Sequence, residues 1–169
     1  NSNTSSFVDA PAAKAALGLG ATVKIFDNSL YKLKRIQNNL GRNIYTSVLS
    51  SITLSQELKN ADVVIGALHS KTSRTPILIS ESMVMNMKPN SVIIDVSIDQ
   101  GGCFETSEMT NHDNPTFINH DVIHYCVPNI PSRVSRTASI ALSNILANTM
   151  IQLQNAGGIK PLIQFSKGV

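Results

Sequence analysis

Asp99, Gln100, Gly101 and Gly102 carry the strongest chemical signal in the sequence. They follow Val92–Val96, a short β-branched run of the kind that is buried on both faces of a parallel sheet. Ligands of open α/β sheets bind just beyond the carboxyl ends of the strands. A carboxylate there, beside two glycines that let a backbone pass closely, is a candidate catalytic group. The same residues are also compatible with a polar turn that has no catalytic role.

A second candidate is Asp27, which ends the predicted strand Thr22–Phe26. An acidic side chain here in a dinucleotide-binding βαβ unit accepts hydrogen bonds from the adenosine ribose, and it favours NAD over NADP because it repels a 2′-phosphate. The alternative is a helix-capping or surface aspartate. The glycine fingerprint expected about 20 residues upstream is absent, and the strand that should precede it is also missing, so the first strand and glycine loop of the fold are expected to be incomplete. Thr4–Asp9 contains no glycine, and Gly18 and Gly20 come too late to hold a pyrophosphate.

Strands and helices alternate along the chain, which predicts βαβ units and a doubly wound, mostly parallel α/β sheet. The predicted strands are Thr22–Phe26, Ile44–Val48, Val63–Ala67, Val92–Val96 and Val122–Val127. The predicted helices are Ala10–Leu19, Leu30–Leu40 with Gly41 as its cap, a short helix opened by Thr53 or Ser55, a helix capped by Ser80, and the amphipathic helix Thr137–Gln154. Cys103–His120 is expected to be irregular. Gly66 indicates a close contact at a strand end. The loops after the strands should converge on one ligand-binding edge.

The composition argues against several classes of function. The chain has 169 residues, enough for one domain with a sizeable core, and a formal net charge of +3. Because the densest basic group is only Lys32, Lys34 and Arg35 and aromatic residues are few, no nucleic-acid site is predicted. No apolar run approaches the ~18 residues of a membrane span, and no signal peptide pattern opens the chain. Cys103 and Cys126 lack metal-ligand spacing, so we expect no metal site and a reducing, cytoplasmic location.

Several runs of sequence resemble the bacterial alanine dehydrogenase family, and more distantly the NAD-binding subunit of proton-translocating transhydrogenase. The runs are Ala12–Asp27, Ala61–Leu68, Met87–Thr106, His112–Phe117 and His124–Asn144. The most specific part is IDQGGCFET, in which the aspartate separates the alanine dehydrogenase branch from the transhydrogenase branch. The resemblance implies a Rossmann-like NAD-binding domain and the oxidative deamination of L-alanine to pyruvate and ammonium, with hydride transfer to NAD. The alternatives are a transhydrogenase-like module, or a truncated fragment that is inactive on its own.

The resemblance also implies roles for individual residues. Asp99 matches the active-site aspartate, close to the nicotinamide and the substrate nitrogen. Asp27 matches the ribose-binding acid, and Lys32 a basic neighbour of the adenosine half. The other matched positions line the nicotinamide side or close over the cofactor: Leu68, His69, Val96, Ser97, Ile98, Val127, Pro128, Asn129 and Ile130. His124 lies in an apolar strand, and we expect it to be a satisfied core histidine.

The resemblance divides the chain into a non-matching or disordered lead-in over residues 1–9, an NAD-binding domain over 10–135, and a linker helix and tail over 136–169. In the family this linker returns to a substrate domain. The family's pyruvate-binding lysine and histidine belong to an N-terminal half that this sequence does not match, so the isolated chain is expected to be inactive. Family members are hexamers, which predicts a homo-oligomer.

Overall fold

A computed structural model describes residues 10–40, 44–70 and 74–155. Within them the strands are β1 (Lys24–Asp27), β2 (Tyr45–Val48), β3 (Val63–Gly66), β4 (Val92–Asp95), β5 (Thr116–Asn119) and β6 (Val122–Tyr125). The α-helices are α1 (Ala10–Gly18), α2 (Leu30–Leu40), α3 (Ser51–Leu58), α4 (Glu81–Val84) and α5 (Ser135–Asn155), and two 3-10 helices are η1 (Val96–Gln100) and η2 (Ile130–Val134). The predicted lead-in over residues 1–9 and the predicted cap Gly41 lie outside the described residues.

The described strands form two sheets rather than the single sheet that the sequence predicts. β1 and β2 pair in parallel, and the second sheet has the order β3-β4-β6-β5. β3, β4 and β6 are mutually parallel, so their carboxyl ends lie at one edge of this sheet. The predicted α/β class with mostly parallel strands is confirmed. The alternation of strands and helices predicts parallel pairing but does not specify which strands are neighbours.

β5 contradicts the prediction that Cys103–His120 is irregular throughout. It pairs antiparallel with β6 across a two-residue turn, in which His120 and Asp121 have φ values of 53° and 59°. Positive φ at both turn positions matches the right-handed twist of the flanking strands. Because β5 is a short edge strand that alternates exposed and half-buried residues, it lacks the continuous apolar run by which a buried strand is recognised.

Two helix starts also differ from the prediction. The N-cap of α3 is Ser50, not Thr53 or Ser55. Ser80 precedes α4 as predicted, but its side chain makes no capping hydrogen bond. Instead the first backbone N–H of α4 donates to the carboxylate of Glu105 at 2.8 Å. A side chain distant in sequence thus performs the capping that local sequence assigns to the serine.

Buried apolar side chains form a separate cluster for each sheet. The smaller cluster packs α1 and α2 against the first sheet and contains Ala13, Ile25, Leu33, Ile36 and Ile44. The larger cluster packs against the second sheet and contains Leu58, Ile79, Val84, Met87, Ile93, Cys103, Phe104 and Val122. Burying one large aliphatic or aromatic side chain stabilises a fold by about 1.5–3 kcal/mol, so the larger cluster dominates the stability of the domain.

The chain divides into two compact units after Pro128. The first unit contains both sheets. The second unit contains η2 and α5, a 21-residue helix in which Arg136 is the only charged residue. None of the helices in the described ranges is both long and apolar enough to cross a membrane.

Candidate functional site

The Asp99 turn follows β4 in the interior of the second sheet. It consists of η1 and ends at Gly101, whose backbone N–H donates to the carbonyl of Ile98 at 2.9 Å. The side chains of Ser97 and Ile98 are buried, whereas Asp99 is exposed. The turn therefore presents a carboxylate at the carboxyl edge of the sheet, where the sequence predicts it.

Asp95, the last residue of β4, is fully buried beneath this turn. Its Oδ1 accepts a hydrogen bond from the backbone N–H of Ser97 at 2.9 Å. Its Oδ2 accepts from the backbone N–H of Cys103 at 2.9 Å and from the hydroxyl of Ser107 at 2.7 Å. The Cys103 thiol donates to Oδ1 at 3.7 Å. No cation pairs with this carboxylate in the part of the chain that the structure describes, so hydrogen-bond donors alone compensate its burial.

Sequence reasoning missed Asp95. The only signal was a carboxylate inside the otherwise apolar run Val92–Val96. Charged residues are almost never fully buried unless they are paired, so a charged residue in a buried strand should itself have been read as part of a polar network.

The two glycines of the turn are required by its geometry. Gly101 and Gly102 have φ values of 94° and 77°, a region that L side chains rarely adopt. A Cβ added at Gly102 would lie 2.8 Å from Oδ2 of Asp95, and one at Gly101 would lie 2.8 Å from the Arg74 side chain. The sequence predicts that these glycines let a backbone pass closely; the groups that approach them are instead side chains, the buried carboxylate at Gly102 and Arg74 at Gly101.

Side chains of η1 tie this turn to the loop after β3. The hydroxyl oxygen of Ser97 accepts a hydrogen bond from the backbone N–H of Leu68 at 2.7 Å. The Gln100 amide pairs with the backbone of Ser70, accepting from its N–H at 2.9 Å and donating to its carbonyl at 3.4 Å. His69 lies between the two tied residues and is exposed. The rim of the sheet is therefore continuous from β3 to β4.

Gly66 ends β3 directly under the glycine-rich turn. A Cβ there would collide with Sγ of Cys103 and would lie 2.5 Å from Cε2 of Phe104. The close contact that the sequence predicts at this glycine is confirmed, and Cys103 and Phe104 form it.

The end of β6 completes this edge, because β6 pairs with β4. Val127 is buried and Pro128 is half-buried. The Cys126 thiol donates to the hydroxyl oxygen of Ser107 at 3.6 Å, which extends the Asp95 network to this strand end. Cys103 and Cys126 are free thiols, and burial raises the pKa of each. Neither is therefore suited to act as a thiolate nucleophile.

Asp27 lies at the end of β1, as predicted, but it is only 1% exposed. Its Oδ1 accepts a hydrogen bond from the backbone N–H of Ser29 at 2.7 Å. The Ser29 hydroxyl oxygen in turn accepts from the backbone N–H of Lys32 at 3.4 Å, within the first turn of α2. Asp27 thus supports the start of α2, a role close to the helix-capping alternative that the sequence left open.

The structure brings together some of the predicted site residues and leaves others apart. Those at the adjacent ends of β3 and β4 are Leu68, His69, Val96, Ser97, Ile98 and Asp99, and Val127 and Pro128 follow β6. Asp27 and Lys32 belong to the first sheet and its helix, which strand pairing does not join to the second sheet. Asn129 and Ile130 belong to the second unit.

His124 is a core residue, as predicted. It is fully buried, and its ring stacks on Phe117 with the centroids 4.8 Å apart. Nδ1 lies 3.0 Å from the carbonyl of Val122 and carries the proton, because a carbonyl only accepts. Nε2 lies 2.9 Å from the Thr106 hydroxyl. Burial lowers the pKa of His124, so the ring is held in its neutral form.

Comparison with known proteins identifies relatives over most of the chain. A family model described as "Alanine dehydrogenase/PNT, C-terminal domain" matches residues 7–167. The alanine dehydrogenase of Mycolicibacterium smegmatis is 44% identical over 146 residues, which are 86% of this chain and 39% of that protein. The alanine dehydrogenase of Bacillus subtilis is 41% identical over 152 residues, 89% of this chain and 40% of that protein. The chain thus spans about two fifths of the length of these curated relatives.

Solved structures agree with this assignment. One described as L-alanine dehydrogenase matches with a TM-score of 0.80 at 40% identity, over 86% of this chain and 40% of that one. A transhydrogenase from Sinorhizobium meliloti matches with a TM-score of 0.72 over 83% of this chain and 40% of that one, but at 23% identity it shows the fold alone. Because the family model matches nearly the whole sequence, the chain belongs to the alanine dehydrogenase/PNT C-terminal domain family, which is the NAD-binding domain of these enzymes.

Proposed function

We propose that this chain is the NAD-binding part of an alanine dehydrogenase, an enzyme that converts L-alanine, NAD and water to pyruvate, ammonium and NADH. The observation that carries the proposal is the Asp99 turn. An exposed carboxylate stands at the carboxyl edge of an interior strand, on a turn closed by two left-handed glycines and a buried aspartate. Edges of this kind are where open α/β sheets bind their ligands.

The rim that joins β3 to β4 supports a place for the nicotinamide half of the cofactor. The hydrogen bond from Leu68 to Ser97 aligns the backbone of both strand ends beside Asp99. NAD, when bound, supplies the hydride acceptor. The residues proposed to line this half are Leu68, His69, Val96, Ser97 and Ile98, and those proposed to close over it are Val127, Pro128, Asn129 and Ile130.

The adenosine half has a less complete site. We assign Asp27 to the ribose and Lys32 to the neighbouring adenosine surface, on the strength of their positions at the end of β1 and in the first turn of α2. Asp27 is buried and already holds the Ser29 turn. Thr4–Asp9 supplies no glycine for a phosphate-binding turn. We therefore expect this chain to bind NADH less tightly than a domain that carries the full glycine fingerprint.

Asp99 has the chemistry that the reaction requires. Positive charge develops on the substrate nitrogen as hydride leaves the α-carbon, and a carboxylate beside that nitrogen stabilises this charge. The same group can move a proton around the carbinolamine that forms when water adds. In the family the residues that bind pyruvate lie outside the part matched here, so we expect alanine to bind only in the presence of a substrate domain.

We also propose a domain division, an oligomeric state and a cellular location for this chain. Residues 10–135 would form the cofactor domain, and 136–169 would return to the substrate domain. A homo-oligomer, a hexamer as in the family, is supported by the large apolar side chains that α5 exposes, which need a partner surface: Ile140, Leu142, Ile145, Leu146, Met150 and Ile151. A cytoplasmic location is supported by two buried free thiols. A transhydrogenase-like module is not favoured, because the aspartate of IDQGG belongs to the alanine dehydrogenase pattern.

Titration of the 169-residue chain with NADH, followed by the fluorescence of the reduced nicotinamide, tests the cofactor role. We expect saturable binding that Asp27→Asn weakens by about tenfold, since a hydrogen bond to a charged group is lost. Asp62→Asn is the matched control, because Asp62 is an exposed aspartate that pairs with Lys88 on the surface. A signal that does not saturate would refute the cofactor role.

A second assay tests whether the substrate-binding residues lie outside this chain. The chain alone, given L-alanine and NAD, is expected to form no NADH. Turnover by the pure chain would show that the substrate residues lie within it, contrary to the proposal.

A further inference from the structure

We propose that Asp95 is a positioning residue for Asp99, and that its buried carboxylate sets the conformation of the turn on which Asp99 stands. The inference rests on the proposed role of Asp99. Asp95 itself is fully buried, so it is not expected to touch the substrate or the cofactor.

The hydrogen bonds of Asp95 clamp the turn on both sides of Asp99. Oδ1 holds the backbone N–H of Ser97, two residues before Asp99, and Oδ2 holds the backbone N–H of Cys103, four residues after it. One rigid carboxylate thus closes the loop 97–103. The path of the backbone at Asp99 is fixed at both ends by a single side chain of β4.

Two neighbouring residues are adapted to this clamp. Gly102 passes so close to Oδ2 that a Cβ there would lie 2.8 Å from that oxygen. Ser107 donates to the same oxygen at 2.7 Å and accepts from the Cys126 thiol at the end of β6. The network therefore fixes the turn relative to the two strands that flank the site, β4 and β6.

A purely structural role explains the buried Asp95 carboxylate less well than a positioning role does. A buried carboxylate without a cation is costly to keep, and apolar residues of similar volume often stabilise a core as well as buried charges do. What the carboxylate provides is two acceptor oxygens in a fixed geometry, each aimed at one end of the loop that carries Asp99.

Asp95→Asn keeps the shape of the side chain but reduces the number of hydrogen-bond acceptor oxygens from two to one. The amide keeps one acceptor oxygen, and its NH₂ group cannot accept from a backbone N–H. Either Ser97 or Cys103 therefore loses its partner, and one end of the loop is released. Ser107→Ala is the milder variant, since it removes one donor to Oδ2 and leaves both backbone contacts in place.

The experiment is NMR on the 169-residue chain, with ¹³C signals for the carboxyl groups of Asp99 and Asp27 and with amide hydrogen exchange. In the unmodified chain both carboxyl signals are expected to move on addition of NADH. In Asp95→Asn the response of Asp99 should be lost while that of Asp27 is retained, a selective effect that general destabilisation would not produce. The amide of Ser97 or Cys103 should exchange about tenfold faster. Asp62→Asn should change neither.

The outcomes separate the two proposals. If Asp95→Asn folds and both the Asp99 response and the exchange rates are unchanged, the positioning role is wrong. If neither carboxyl of the unmodified chain responds to NADH, the proposed function fails, and the exchange rates of Ser97 and Cys103 still decide whether Asp95 clamps the loop. If Asp95→Asn does not fold, Ser107→Ala decides. Ser107 anchors the oxygen Oδ2 that also accepts from the Cys103 amide, so without this anchor the carboxylate holds Cys103 less firmly, and the Cys103 amide should exchange about threefold faster. An unchanged rate would overturn the inference.

Discussion

Gly66→Ala is expected to destabilise the domain, because the added methyl group has no space. Its carbon would collide with Sγ of Cys103 and lie 2.5 Å from Cε2 and 3.2 Å from Cζ of Phe104. Carbon atoms in contact are about 3.5–4.0 Å apart, so the overlap with the ring is about 1 Å. Cys103 and Phe104 are 1% and 2% exposed, so neither can turn into solvent to relieve it.

This overlap sets the expected magnitude. Overpacking a well-packed core costs about 1–3 kcal/mol, and with two buried neighbours we expect about 3 kcal/mol. In a chain of this size that corresponds to a fall in Tm of about 6–12 °C. Urea unfolding followed by circular dichroism measures the free energy. Since the methyl group would also push the end of β3 away from the glycine turn, the affinity for NADH should fall in the same variant.

Gly18→Ala is the matched control. Gly18 is the last residue of α1, and nothing lies within 4 Å of an added Cβ. Alanine is better than glycine inside a helix by about 1 kcal/mol, so this variant should be neutral or more stable. If Gly66→Ala costs less than about 0.5 kcal/mol, the change expected of an unconstrained surface site, the close contact does not exist as described.

Three further predictions concern the histidine core, the rim and the hairpin. Burial lowers the pKa of His124, so the neutral ring contributes its full stabilisation above the unfolded pKa of about 6.5, and this stabilisation is lost as the pH falls below that value. The Tm measured from pH 7.5 to 5 should therefore depend less on pH in His124→Gln than in the control His69→Gln. Ser97→Ala removes the acceptor for the Leu68 amide and should cost about 1 kcal/mol, with faster exchange of that amide as the specific sign; unchanged exchange would show that the hydroxyl does not bridge the strands. Asp121→Gly relieves a positive φ in the β5–β6 turn and should raise stability by about 0.5–1 kcal/mol; a loss of stability would mean that the aspartate side chain, not its backbone conformation, holds the turn.

Sequence reasoning succeeded where the information was local. The apolar runs of β3 and β4 and the helical spacing of α2 each specify an element without reference to the rest of the chain. Gly66 could be read as a point of close approach because only glycine tolerates a neighbouring group at that distance. His124 could be assigned to the core because it stands within an apolar strand.

Sequence reasoning failed where the information was tertiary. Nothing near Asp95 in the sequence indicates that Cys103 and Ser107 fold back to donate to it. β5 owes its strand conformation to pairing with β6 and to a turn of two left-handed residues, not to an apolar pattern of its own. The burial of Asp27 depends likewise on packing that the run Thr22–Phe26 does not encode.

The separation of β1–β2 from the larger sheet has a thermodynamic consequence. Within residues 10–40, 44–70 and 74–155 the first sheet has its own small core and shares no ladder with β3. It is therefore a natural unit of partial opening, and its amides should exchange at a lower free-energy cost than those of β4. A dinucleotide that contacted Asp27 at one end and Asp99 at the other would fasten these two halves together. Binding of the dinucleotide would then make the two sheets unfold together in one cooperative transition.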